Sequence, residues 1–125
     1  MTVPFRFGWQ ITGEHEDAPI EAARRAESIG FDIFRASEHV GPGDAPLPLL
    51  SAVAASTTTL RVGTFVLNSD MRNPVQLAWE AATLQRHSGG RFELGLGAGH
   101  TPHEYAHTGI ELHAPAVRKA ALMER

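Results

Sequence analysis

The 125-residue chain predicts an α/β fold built on a parallel sheet. Three observations carry that expectation. Strand-like and helix-like segments alternate, glycine or proline punctuates the changes, and strand centres fall near residues 8, 34, 64 and 94. A spacing of about 26 to 30 residues is one strand-helix-strand unit with a right-handed crossover. Four such units make half of an eight-stranded barrel or a small open sheet, and the pattern alone leaves both open. The length suits a single domain over residues 1–125, without a visible linker or low-complexity segment.

The first strand is expected over Phe5 to Ile11, where apolar and polar residues alternate. Asp17 offers a helix cap and Pro19 an early helical position, where its missing N–H costs nothing. Ile20, Ala23, Ala26 and Ile29 then recur at helical spacing, and Gly30 suits a left-handed stop. Phe31 to Ala36 reads as the second strand, ending in Ser37-Glu38-His39. After the Gly41-Pro42-Gly43-Asp44 loop, alanine and leucine from Leu47 to Ala55 predict a second helix, with Ser56 to Thr59 as its exit. Leu60 to Leu67 is the third strand. Asn73 caps a third helix that begins at Pro74 and runs to His87, with Gln76 completing a variant capping box and Gly89-Gly90 ending it. The fourth strand is Phe92 to Leu96, and Pro115 to Arg125 opens a further helix.

Composition excludes several functions. The net charge of −3 comes with mixed signs and no basic run, which argues against nucleic acid and anionic membranes as partners. The absence of cysteine removes disulfides, thiolate metal sites and thiol nucleophiles. No apolar run approaches the about 20 residues of a membrane span, and no signal peptide pattern opens the chain. A cytoplasmic protein is the expectation.

The segment Ser88-Gly89-Gly90-Arg91-Phe92-Glu93-Leu94-Gly95-Leu96-Gly97-Ala98-Gly99 joins a helix stop, a short strand and a glycine-rich turn. Ligands of parallel α/β folds sit at the carboxyl ends of strands. Gly95, Gly97 and Gly99 therefore either let the backbone approach a flat or anionic ligand, or serve a tight strand-to-loop turn. His100, His103 and His107 share a face if helical, but Pro102 and Gly109 bound that stretch and no zinc-hydrolase glutamate is suitably placed. Solvated histidines and no metal are expected. Trp79 suits the core or a subunit interface, and Trp9 either packing or the floor of a substrate pocket.

With the strands placed, the chain resembles the luciferase-like monooxygenase superfamily, especially its deazaflavin (coenzyme F420) oxidoreductases. The matching segments are Ala22 to Phe31, Ser37-Glu38-His39, Thr58 to Leu67 with Arg72-Asn73-Pro74 and Glu80 to Leu84, and Ser88 to Gly99; Glu104-Tyr105 and Gly109-Ile110 continue them. The resemblance implies a (β/α)8 TIM-type barrel, of which this chain supplies the N-terminal half, since such barrels run to about 250 residues. It places His39 beside the reactive carbon of the coenzyme, where an imidazole gives or takes a proton near neutral pH. Glu38 either orients His39 or faces water. The resemblance implies a cis peptide at Phe65-Val66 backing the coenzyme ring, with Asn68 bonding the polar edge or serving as a turn residue. Ala98 and Gly99 match the turn whose backbone touches the coenzyme, and His100 stands where the sugar-phosphate dehydrogenases carry an acid. His100 and Trp9 are the candidate pocket residues for a small-molecule substrate.

The implied activity is hydride transfer between the deazaflavin and a small organic substrate. One alternative is a monooxygenase using flavin mononucleotide (FMN). Another is a half-barrel without turnover, whose open strand edges favour a homodimer or a separate second half.

Overall fold

A computed structural model describes residues 5–12, 18–41 and 43–124. The elements run β1 (Gly8–Ile11), α1 (Pro19–Ser28), β2 (Ile33–Ala36), α2 (Pro46–Ser56), β3 (Arg61–Thr64), β4 (Leu67–Asn68), a 3-10 turn (Ser69–Met71), α3 (Pro74–His87), β5 (Phe92–Glu93), β6 (Leu96–Gly97), α4 (Pro102–Thr108) and α5 (Pro115–Glu124). β1, β2, β3 and β5 form one parallel sheet in chain order, and β4 pairs with β6 in a second, two-stranded ladder. A doubly wound sheet reverses its strand order at a switch point. Here each strand lies beside its predecessor, α1 packs on α2, and α2 on α3. That is the winding of successive β/α barrel units and excludes a doubly wound sheet.

The helix-facing side of the sheet carries the core. Ile11, Phe34, Ala36, Val62 and Phe92 alternate along their strands and meet Ala23, Ala26, Leu50, Val53 and Leu84 from the helices. Burying each large side chain contributes about 1.5–3 kcal/mol. Ala23 and Ala26 are fully buried, and their small side chains let α1 sit close to its neighbours. Pro19 opens α1, whereas Asp17, the expected cap, lies outside the described residues, as does Pro42 of the first loop. Asn73 does cap α3, its Oδ1 accepting from the amides of Val75 (2.9 Å) and Gln76 (3.2 Å). Gly30, Gly89 and Gly90 all take positive φ at helix ends, as expected.

Two side chains tie loops to helices. The Glu27 carboxylate accepts from the amides of Thr58, Thr59 and Leu60 at 2.8, 2.6 and 2.9 Å. Arg91 donates to the carbonyls of Ala54 (2.7 Å), Leu60 (2.6 Å) and Ser88 (2.8 Å), closing the carboxyl end of α2.

The third and fourth strands are each shorter than the alternation predicts. Leu60 to Leu67 divides into β3 and β4 at Phe65-Val66, whose peptide bond is cis, and Phe92 to Leu96 divides into β5 and β6 at Leu94-Gly95. The breaks coincide. The Thr64 hydroxyl donates to the Gly95 carbonyl (2.9 Å) and accepts from its amide (2.8 Å), so both strands leave the main sheet together. A side-chain bond across strands leaves no trace in hydrophobic periodicity.

Candidate active site

The carboxyl ends of β2, β4 and β6 converge with α4. Three residues beyond β2, His39 turns its Nδ1 to Glu104 Oε1 at 2.9 Å. Glu104 lies in the first turn of α4, and its side chain is 6% exposed against 42% for His39. With Nδ1–H donating to the carboxylate, Nε2 keeps its lone pair.

Glu38 does neither of the things expected of it. Its buried carboxylate accepts from the Asn68 amide at 2.7 Å and pairs with the Arg72 guanidinium. It neither touches His39 nor faces water, because β4 brings a backbone donor and a cation to it. The partner of His39 is Glu104, 65 residues away in sequence, which pairwise spacing does not reveal. Its only sequence signal is membership in the Glu104-Tyr105 segment of the resemblance.

Asn68 sits between these two carboxylates. Its Oδ1 accepts from Asp70 N (3.0 Å) and from the Tyr105 hydroxyl (3.4 Å), and its Nδ2 is buried without a hydrogen-bond partner. Asp70 (3.0 Å) and the Ala98 carbonyl (3.3 Å) are further acceptors within reach of the single Tyr105 hydroxyl hydrogen, Asp70 being the nearest of the three. Burial pushes this hydroxyl above the ordinary tyrosine range, Asn68 opposes the shift, and Asp70 adds to it. Glu38 and Tyr105, the chain neighbours of His39 and Glu104, thus both bond Asn68, which holds the pair and the amide in one cluster.

The glycine-rich turn is filled by the protein itself. A Cβ at Gly95 would strike the Thr64 carbonyl, one at Gly97 the Val66 side chain, and one at Gly99 the Tyr105 hydroxyl and Asn68 amide. Gly99 also has φ of 67°, where only glycine is at ease. Close packing against the neighbouring strand therefore explains Gly95 and Gly97, which is neither the ligand approach nor the tight strand-to-loop turn that the sequence suggests.

Phe65 and Val66 remain 51% and 39% exposed although apolar, with the Arg35 guanidinium 5.2 Å from the Phe65 ring centre. His100 is exposed in the loop before α4. Trp9 packs edge-on against Phe31 at 5.5 Å on the helix side of the sheet, so it does not floor a pocket at the strand ends. Trp79 is 74% exposed and is not part of the core. His103 and His107 face each other at 6.2 Å, and no cluster among the described residues gathers three metal-binding side chains. No helix among them is long and apolar enough to cross a membrane.

Residues 1–120 match the luciferase-like monooxygenase family. An F420-dependent glucose-6-phosphate dehydrogenase of Microbacterium testaceum is 36% identical over 114 residues, which cover 83% of this chain and 34% of the relative. Among solved structures, an F420-dependent secondary alcohol dehydrogenase in complex with an F420-acetone adduct superposes with a TM-score of 0.82 at 27% identity, covering 92% of this chain and 38% of that one. The oxygenating constituent of 3,6-diketocamphane monooxygenase from Pseudomonas putida, in complex with FMN, gives 0.75 at 26% identity, covering 85% and 33%. The chain spans about a third of the length of the curated relatives it matches. With its winding and its matched residues in agreement, the chain belongs to the luciferase-like monooxygenase family.

Proposed function

We propose that this chain forms the coenzyme-side part of a deazaflavin-dependent oxidoreductase acting on a small organic substrate. The observations that carry this reading are the His39–Glu104 pair beyond the carboxyl end of β2, the exposed apolar Phe65 and Val66 at the end of the neighbouring β3, and the unpartnered Nδ2 of Asn68 in β4. These residues fit a flat ring with a polar edge. Phe65 and Val66 offer apolar contact to a ring face, and Asn68 offers a buried donor to a ring carbonyl, matching a group whose desolvation otherwise goes uncompensated. Gly99 borders the same donor, and the Ala98 carbonyl meets the Tyr105 hydroxyl beside it.

Bound there, a deazaflavin supplies the hydride chemistry. His39 does the proton work: in the oxidising direction Nε2 takes the proton of a substrate hydroxyl, and in the reducing direction it returns one. Glu104 holds the ring in the tautomer that leaves Nε2 free and stabilises the imidazolium once formed. Glu38 positions Asn68 through its backbone amide. His100, exposed in the loop before α4 where the resemblance expects an acid, favours a substrate other than a sugar phosphate.

A second reading, FMN-dependent monooxygenation, is favoured by the neighbour solved with FMN. Fluorescence titration with F420 and with FMN, on material whose mass is fixed by light scattering, separates the two. The expected result is saturable binding of one F420 per chain and weaker FMN binding. The reverse order selects the monooxygenase, and binding of neither overturns both. His39→Ala should retain coenzyme binding while lowering hydride transfer by about 10²-fold or more.

A further inference from the structure

Histidines four positions apart share a face only where the chain is helical. The structure meets that condition for two of the three in this stretch. α4 (Pro102–Thr108) includes His103 and His107 and leaves His100 in the preceding loop. Both imidazoles are exposed, one turn apart, whereas Glu104 and Tyr105 between them are buried. The two rings meet edge to face, with centres 6.2 Å apart and planes at 77°. A divalent ion bound at about 2.0–2.1 Å by one nitrogen of each ring brings the centres to about 5 Å. A small rotation of two exposed side chains closes that difference.

We propose that His103 and His107 form a two-imidazole site for one divalent transition-metal ion of the copper, nickel or zinc class, with solvent in the remaining positions. Imidazole suits these ions, whereas magnesium and calcium prefer oxygen. The site has a mechanical consequence. α4 has seven residues, fewer than a helix needs to persist alone in water, and Thr101 at its start makes no side-chain capping bond. Its inner side is tied by the His39–Glu104 bond and the Tyr105 contacts. A chelate joining the first and last turns fastens the outer side, and with it the helix that carries Glu104 and Tyr105. The proposal stands on α4 alone and is independent of the coenzyme and of the chemistry at His39.

The test uses the untagged full chain without coenzyme. Titration with Cu(II) should saturate at one ion per chain, and electron paramagnetic resonance should show two imidazole nitrogens on that ion. His103→Ala and His107→Ala should each weaken binding by about tenfold or more, because one ligand of a chelate is lost. His113→Ala, which removes the histidine 3.5 Å from Glu111, should leave binding unchanged. Saturating Zn(II) should slow amide exchange in α4 by about tenfold or more, since it binds the folded helix. Absence of saturable copper binding, a single imidazole ligand, or binding that survives loss of both His103 and His107 overturns the site. Unchanged exchange in α4 overturns its fastening role. The spectrum and the exchange are read on the wild type, so they decide even if a variant fails to fold.

Discussion

Nε2 of His39 is the ring nitrogen left for chemistry because Glu104 occupies Nδ1. The consequence belongs to single residues and is separable from folding. Glu104→Gln keeps the side-chain shape and an oxygen that can still accept, but loses the charge that favours the imidazolium. In the coenzyme-bound enzyme, kcat should fall by about tenfold to hundredfold, less than on removing the imidazole. KM and coenzyme affinity should stay unchanged, because Glu104 is buried and acts through His39. A change confined to KM would make it a substrate-binding group instead. The sequence made His39 legible, since the resemblance rests on it, but chain adjacency pointed to Glu38 as its partner. The choice between Glu38 and Glu104 depends on where α4 lands, and that is set by the Tyr105 contacts with Asn68, Asp70 and Ala98.

At the scale of elements, local signals served helices better than strands. Proline starts, Asn73 as cap and glycine stops are short-range physics, and the bounds of α3 match them. The strands β3 and β5 end early because Thr64 and Gly95 bond each other across 31 positions of sequence. The α1-to-β3 connection has its own long-range tie in Glu27. Burial raises its carboxyl, yet four hydrogen bonds from Thr58, Thr59 and Leu60 prevail and hold it at about 2, below its ordinary 4.5. A lowered folded value means that stability is present above about pH 4.5 and is lost as pH falls toward 2. Glu27→Gln should cost about 1 kcal/mol near neutral pH, the worth of the charge in these bonds. Urea unfolding from pH 7 to 2 should show the two chains converging at the acid end. A constant gap across that range would remove the Glu27 charge from the account.

At the scale of the whole molecule, chain-order winding puts β2 and β3 in the interior of the sheet and, among the described residues, leaves β1 and β5 at its edges. Native-state hydrogen exchange should therefore be slowest in β2 and β3, whose Phe34 and Val62 are fully buried, and markedly faster in β1. Equal protection of β1 would show that another strand pairs with its open edge. By itself, the sequence determined the α/β class, the number of β/α units, the ends of most helices and the place of His39, because propensity, capping and periodicity act within a few residues. Only the tertiary structure decided that the units wind in chain order, that the glycines of the turn accommodate Thr64, Val66 and Tyr105, and that Glu104 holds His39. Each of those outcomes depends on groups from different elements meeting in space, and such meetings are governed by packing and hydrogen-bond satisfaction across the whole fold.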